Sequence, residues 1–488
     1  MNSLQYFKSP DVLVSRRVGD PGLALQNIRT NASVKLNGRQ AGWWTGWQSD
    51  ELDTMDRDSW LASFSRNDFV KLEPDETELT DASIDGGQFE VGGRFIKWYW
   101  ETPDLAVLFN SDLMSQNNPL LVLSPYGSLC WHGIVEGWNL NTIRQEALRV
   151  FGIDEVAPFL LRLTNLGFIK GNLPLHLSSR RESIRKEFLA PDVQFQLTQS
   201  AIPWYCLWEL CTTCDLRCKI CYQQEFKTRG PDPLEAERIA TQLIESGIFY
   251  VCLLGGEALL VKHLETIVSR LHSGGVFTKI ITNGQQLTLE RASSLANAGL
   301  NQVEVSFDGL TAASHERSRG PRTFERAVDA LRTSREAGIP RNGVVWTVHS
   351  GNFEDLPLLP AFLEQVSVTE CYLSMFKKTG LNGANSEWEP LTPAQIQAIH
   401  VQIGAWHSSH PHLSIVLLPT CSCGRTSIVI GANNDVRTCS FCYTPVGNVS
   451  QTSLLEVWKG LGANMPETGN IGYCSERITQ LRQIALVS

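Results

Sequence analysis

The chain has 488 residues, 42% hydrophobic and 19% charged, enough apolar material for a sizeable core and a balance that excludes a disordered or fibrous protein. Forty-two lysines and arginines against 51 aspartates and glutamates give a net charge of −9, which argues against bulk nucleic-acid binding. No apolar run of about 18 residues occurs and no basic stretch leads into an apolar one at the start, so neither a membrane span nor a secretory signal is expected, and the cytoplasm is the expected compartment.

Residues 1–83 are polar and rich in tryptophan (Trp43, Trp44, Trp47, Trp60) and show no chemistry. From Gly86 onward two β-rich runs, 94–100 and 105–109, read as short strands, and a turn is expected at Gly133. A helix is predicted over 142–148, and a second one opens at Asp154 with Val156, Phe159, Leu160 and Leu163 on one face. Phe168-Ile169 starts a wing strand. Residues 84–175 thus read as one small module, and the charged run from Arg180 to Glu187 as a helix in a linker over 176–201. From residue 202 strands (249–254, 278–282, 302–307, 343–348, 370–375) alternate with helices (233–246, 262–272, 288–298, 323–337, 355–363). That rhythm predicts an α/β fold with a parallel sheet or barrel over 202–400, with its sites at the C-terminal strand ends. Residues 401–488 break the rhythm and are rich in cysteine and turn residues.

Cysteine carries the chemistry. There are 13, an odd number, with five between Cys206 and Cys221 and five between Cys421 and Cys474. In a long chain of a reducing compartment such clusters point to metal or iron–sulfur sites rather than disulfides. Cys214, Cys218 and Cys221 form a C-x3-C-x2-C triplet followed by Tyr222. Three thiolates on a [4Fe–4S] cube leave one iron open to an outside ligand; a zinc loop completed by Cys211 or Cys206 is the alternative.

The triplet and its aromatic residue resemble the signature of radical S-adenosylmethionine (SAM) enzymes. Gly255-Gly-Glu257-Ala-Leu259, Thr282-Asn-Gly284, Val305-Ser-Phe-Asp-Gly309 and His315 to Gly320 resemble further motifs of that family, in its order. The resemblance covers residues 202–380 and implies a partial (β/α)6 TIM-like barrel. It implies that Cys214, Cys218 and Cys221 hold a [4Fe–4S] cluster whose open iron chelates S-adenosylmethionine. One electron would then cleave the sulfonium bond, giving methionine and a 5′-deoxyadenosyl radical that takes a hydrogen atom from the substrate. It also implies cofactor contacts for Gly255, Gly256, Glu257, Asn283, Ser306, Asp308 and Arg319, with the backbone at Tyr222 flanking the adenine. Two departures stand out: Ala258 replaces a usual proline, and Cys211 stands where asparagine is common.

Cys421-Ser-Cys423, a hairpin over 428–436, Cys439-x2-Cys442, Gly447-Asn448 and a Leu454-to-Trp458 helix resemble the SPASM and Twitch extensions of peptide-modifying radical enzymes. The full pattern has seven cysteines; here five (Cys421, Cys423, Cys439, Cys442, Cys474) imply one auxiliary [4Fe–4S] cluster, with a second auxiliary cluster or a structural zinc as alternatives. Gly127, Trp131-x-Gly133, Gly137 and the two helices after them resemble a precursor-peptide recognition element, a winged-helix module that takes a leader peptide on a sheet edge near 95–100. The family then implies a maturase that crosslinks or otherwise modifies a ribosomal precursor peptide, reduced by a flavodoxin or ferredoxin-like partner, with no nucleic acid or membrane involved. Alternatives are a peptide epimerase, with Cys252, Cys371 or Cys211 as the hydrogen-returning thiol, a sulfatase-type protein maturase, and a zinc-stapled binding protein.

Overall fold

The computed structural model describes residues 120–151, 156–170, 199–418 and 424–463 continuously, with isolated short strands ahead of residue 111. The chain forms two compact units, Met1–Leu108 with Leu121–Pro191, and Phe109–Leu120 with Asp192–Ser488. The linker helix expected at 180–187 lies outside the described residues.

In the first unit, Val12–Ser15, Leu23–Asn27 and Ser33–Leu36 form an antiparallel meander in the segment that shows no chemistry in sequence. A second three-stranded sheet has the order β1 (Ile96–Thr102), β2 (Leu105–Asn110), β3 (Leu120–Val122), so β1 is an edge strand. Helices α1 (Pro125–Val135), α2 (Leu140–Phe151) and α3 (Val156–Asn165) follow, and β4 (Ile169–Lys170) pairs with Glu90–Val91. Ser124 caps α1 by accepting from the Gly127 amide, with proline at the first position. The turn expected at Gly133 is instead helix. A Cβ there would lie 2.8 Å from Ile143 and Trp138, so this glycine admits α2 and the following turn against α1. Trp131, Ile134, Ile143, Phe159, Leu160 and Leu163 are buried.

The second unit is built on one ten-stranded sheet. Its parallel run is β5 (Tyr205–Cys211), β6 (Tyr250–Gly255), β7 (Phe277–Thr282), β8 (Gln302–Phe307), β9 (Arg341–Val348), β10 (Glu370–Met375) and β11 (Ser414–Leu417), neighbours in that order. Between them lie α4 (Pro233–Glu245), α5 (Leu264–Ser273), α6 (Leu289–Asn297), α7 (Ala312–Arg319), α8 (Phe324–Glu336), α9 (Leu359–Gln365) and α10 (Pro393–Ser409). Alternate strand residues such as Val303, Val305, Val344 and Trp346 enter the apolar core with Ile239, Leu243, Ile267 and Leu331 from the helices.

The sheet does not stop at residue 400. The α10–β11 pair adds a seventh parallel strand, and β12 (Ser427–Ile430), from the cysteine-rich stretch, pairs in parallel with β5. β12 then turns at the left-handed Asn434 (φ 63°) into antiparallel β13 (Asp435–Arg437), followed by β14 (Gly447–Asn448) and α11 (Leu454–Ala463). The first barrel strand would otherwise present a free apolar edge, and β12 covers it.

Candidate functional site

The site is built where the parallel strands end. After β5 the chain enters the cysteine loop, which hangs on backbone bonds from the Thr212 and Thr213 amides to the Thr228 carbonyl (2.9 and 3.1 Å). Gly255 and Gly256 end β6 against this loop. The Gly256 amide donates to the Cys211 carbonyl at 2.7 Å and the Glu257 amide to the Thr213 carbonyl at 2.9 Å. A Cβ on Gly256 would sit 2.2 Å from the Thr213 oxygen, so the sequence pair Gly-Gly is required by backbone approach.

Glu257 is 1% exposed and accepts from the Leu259 amide (3.0 Å), the Asn283 amide (2.8 Å) and the Thr282 hydroxyl (2.7 Å). It therefore ties the end of β6 to the end of β7; burial pushes its carboxyl up to about 7 against the pull of those donors. Asn283 in turn donates to Asp215 at 2.7 Å and lies 3.8 Å from the Cys214 sulfur. At the end of β8, Ser306 is half-buried, and the fully buried Asp308 accepts from Nη2 of Arg319 (2.9 Å) and from the Ser318 hydroxyl (2.9 Å), with Arg319 Nε in ion-pair contact at 2.8 Å. Within the structure the Arg319 fork is thus committed to Asp308.

The three loop thiols are close enough to feel one another's charge, and Cys218 also senses Arg319 and Asp308. Burial pushes Cys214 and Cys218 up to about 12 and raises Cys221. Metal loading would displace those protons. Among the described residues no three metal-binding side chains converge tightly enough for a single ion. Soft thiols on one loop, steadied by an amide donor, suit an iron–sulfur cluster held at separate corners.

Of the other thiols, Cys211 is buried with its sulfur 3.3 Å from the Glu257 carbonyl. Cys371 lies in the apolar core between sheet and helices, where burial raises its pKa, and is not brought to the cysteine loop. Cys252 differs. Its neighbours Val251 and Leu253 point into the main core, whereas Cys252 takes the opposite face of β6 beside Lys279 and Glu304.

Several residues escape a motif reading. Tyr222 is half-buried and its hydroxyl donates to Glu209 at 3.3 Å. Glu209 is ion-paired to Arg437, which also holds Asp435 at 2.8 Å. Tyr443 donates to the Tyr222 carbonyl and meets the Thr379 hydroxyl at 2.8 Å, and the Phe441 ring packs on Tyr222. A loop after β10 also lies on the cysteine loop: the Gly383 amide bonds the Cys221 carbonyl at 2.9 Å, and Asn382 bonds the Cys218 carbonyl at 3.0 Å. The signal for Glu209 was present, a lone carboxylate inside the apolar run Tyr-Cys-Leu-Trp-Glu-Leu-Cys. Cys439 and Cys442 are buried free thiols, and the Cys442 amide donates to the Cys439 carbonyl at 3.1 Å; Cys421, Cys423 and Cys474 lie outside the described residues.

A parallel α/β barrel with a three-thiol loop at its mouth defines a class. Residues 208–357 match the family model of the radical SAM superfamily, so this segment is a radical SAM domain. The chain is 32% identical over 160 residues to PqqA peptide cyclase of Bradyrhizobium diazoefficiens, spanning 32% of this chain and 42% of that protein. It is 27% identical over 293 residues to mycofactocin maturase MftC of Mycobacterium tuberculosis, spanning 55% of this chain and 73% of that one. It thus spans less than half of the first relative's length. In fold it resembles Streptococcus suis SuiB, solved bound to precursor peptide SuiA, with a TM-score of 0.57 at 15% identity over 78% of this chain and 91% of that one. No described helix is long and apolar enough to cross a membrane.

Proposed function

We propose that the chain is a radical SAM maturase that removes a hydrogen atom from a ribosomally made precursor peptide and installs a crosslink or related C–H modification. The observation that carries this reading is the grouping of Cys214, Cys218 and Cys221 on one loop at the C-terminal mouth of a radical SAM barrel. In this reading the three thiols hold a [4Fe–4S] cluster with one iron open to S-adenosylmethionine, and the bound pair supplies the oxidant for hydrogen abstraction. The chain's own residues prepare the place. Glu257 and Asn283 fix the loop to two strand ends, Gly255 and Gly256 allow the close backbone approach, and the Asp308–Arg319 pair sets a charged wall beside Cys218. Ser306 is positioned for the ribose, and the backbone at Tyr222 for the adenine.

Cys439 and Cys442, with two of Cys421, Cys423 and Cys474, hold an auxiliary [4Fe–4S] cluster in the same reading. The leader peptide adds to the open edge of β1, and a flavodoxin or ferredoxin-like protein of the cytoplasm supplies electrons. The names of the relatives, a peptide cyclase and a maturase, support a peptide substrate. Cys252 supports the epimerase alternative, because it alone of the three candidate thiols lies on the sheet face opposite the apolar core. Transfer of solvent deuterium to a peptide α-carbon, lost in Cys252→Ala, would select it.

The test is anaerobic reconstitution followed by an assay for 5′-deoxyadenosine with reductant and S-adenosylmethionine. About eight irons per chain are expected, with nucleoside formation abolished in Cys218→Ala. Zinc in place of iron, or no nucleoside under any reducing condition, would overturn the reading.

A further inference from the structure

Residues 212–232 lie between β5 and α4 and contain no helix or strand. This stretch carries the cysteine loop, so its backbone groups need partners from elsewhere in the fold. From Cys218 onward the donors come from two distant segments. In the loop behind β10, the Gly383 amide donates to the Cys221 carbonyl (2.9 Å), the Leu381 amide to the Gln223 carbonyl (2.8 Å) and the Asn382 side-chain amide to the Cys218 carbonyl (3.0 Å). In the stretch after β13, the Tyr443 hydroxyl donates to the Tyr222 carbonyl.

That tyrosine contact is the end of a chain. A phenol has a single hydrogen to donate. Tyr443 gives it to the Tyr222 carbonyl, so in the 2.8 Å contact with Thr379 the threonine hydroxyl is the donor. The order runs from the Thr379 hydroxyl through the Tyr443 hydroxyl to the Tyr222 carbonyl, and each bond polarises the next. Gly380 closes on the same peptide. Its φ is 79°, and a Cβ there would stand 2.2 Å from the carbonyl carbon and oxygen of Tyr222, so only glycine fits. The Phe441 ring meets the Tyr222 ring edge-on at 5.5 Å. The Tyr222 peptide is thus fixed by Tyr443 and Gly380, neither of which belongs to its own loop.

We propose that Thr379 and Tyr443 are positioning residues for S-adenosylmethionine: they hold the Tyr222 main chain in place, and through it the C-terminal segment sets cofactor affinity. The inference rests on the reading above, in which that main chain flanks the adenine. Tyr222 lies beyond the last thiol of the loop, and the carbonyls of Cys218 and Cys221 keep their own donors from Asn382 and Gly383. Loss of the Tyr443 bond therefore loosens the cofactor contact while the thiols stay in place.

The experiment is equilibrium dialysis of S-adenosylmethionine against the anaerobically reconstituted full chain, with iron and the thermal midpoint measured, for the wild type, Tyr443→Phe, Thr379→Val and Thr379→Ser. Tyr443→Phe removes one hydroxyl and keeps the ring. Its iron content is expected to equal that of the wild type, and its dissociation constant to rise roughly three- to tenfold. In 5′-deoxyadenosine formation, KM for S-adenosylmethionine should rise by the same factor with kcat unchanged. Thr379→Val should give a smaller rise, and none beyond that of Tyr443→Phe when the two are combined, because both act through one chain of bonds. Thr379→Ser keeps the donor and should bind as the wild type does. Unchanged affinity in Tyr443→Phe would overturn the proposal, whatever happens to the midpoint, and would leave the hydroxyl a stability contact. A rise that comes with lost iron would also overturn it, by tracing the effect to the thiols. So would binding in Thr379→Ser as weak as in Thr379→Val, which would trace it to packing. A wild-type chain that binds no S-adenosylmethionine would sink the reading above, and this inference with it.

Discussion

At the scale of single residues, two histidines at the barrel mouth make the fold sensitive to acid. His315 and His349 are 0% and 1% exposed, and burial lowers both to about 4 from an ordinary 6.5. Geometry agrees: Nδ1 of His315 accepts from the Asp308 amide (3.4 Å) and Nδ1 of His349 from the Gly351 amide (3.0 Å), bonds that a proton would break. A depressed folded pKa means stability that is present above pH 6.5 and is lost as pH falls towards 4, because the unfolded chain binds the protons first. Each histidine contributes up to about 1.4 kcal/mol per pH unit in that window. Denaturant midpoints measured from pH 7 to 4 should fall steeply, and His349→Phe, which keeps the stacking on Trp388, should remove about half of the slope. An unchanged slope would refute the assignment. At Gly256 the expectation is steric: Gly256→Ala drives a methyl onto the Thr213 carbonyl, so the cysteine loop must shift and iron loading should drop even where the barrel still folds.

At the scale of elements, the clamp between β5 and β13 links the two cysteine regions. Glu209 and Arg437 are 3% and 6% exposed; Arg437 is the cation ion-paired to Glu209, and it also pairs with Asp435. Removing Arg437 therefore strands a buried carboxylate, at a cost of about 3–5 kcal/mol. Arg437→Met should lower the unfolding midpoint more than Arg437→Met combined with Glu209→Gln; equal losses would show that the pair is not coupled. The elements themselves were largely legible. β8 and β10 have the bounds that alternation and flanking turns predict, because alternate residues (Val303, Val305 and Phe307; Cys371 and Leu373) enter the apolar core while the polar ones between them take the other face. The hairpin over 428–436 was legible from its Asn-Asn turn. What sequence does not show is pairing: nothing local to Ser427–Ile430 says that it joins β5, more than two hundred residues earlier. The same limit hides the Glu209–Arg437 ion pair and the Gly380–Gly383 loop over the cysteines, since long-range contacts leave no periodicity. The cysteine triplet stood out because its three cysteines fall close together on one short loop. The chain of bonds from Thr379 through Tyr443 to Tyr222 is visible only in three dimensions.

At the scale of the whole molecule, the proposed leader-binding module and the barrel should have separable tasks. If β1 takes the leader peptide on its open edge, proline at Lys97 or Trp98 should abolish binding at whichever position directs its amide outward, because proline removes the donor. Labelled-peptide binding measured by fluorescence anisotropy checks this, while reductant-driven 5′-deoxyadenosine formation without peptide should persist. Retained binding in both variants would move the leader elsewhere. The order of the sheet also bears on how the protein is made. β5 emerges first of the barrel strands, yet its partner β12 begins 222 residues later, 427 minus 205. On a ribosome adding about 5–20 residues per second, the β5 edge and the cysteine loop beside it wait roughly 10–40 s for their cover. During that interval the loop is not yet clamped by Arg437 and Tyr443. If the three thiols take a cluster as proposed, the nascent chain would expose them before the C-terminal hairpin closes over them, so an early stop codon would yield a chain that can be metallated but not sealed.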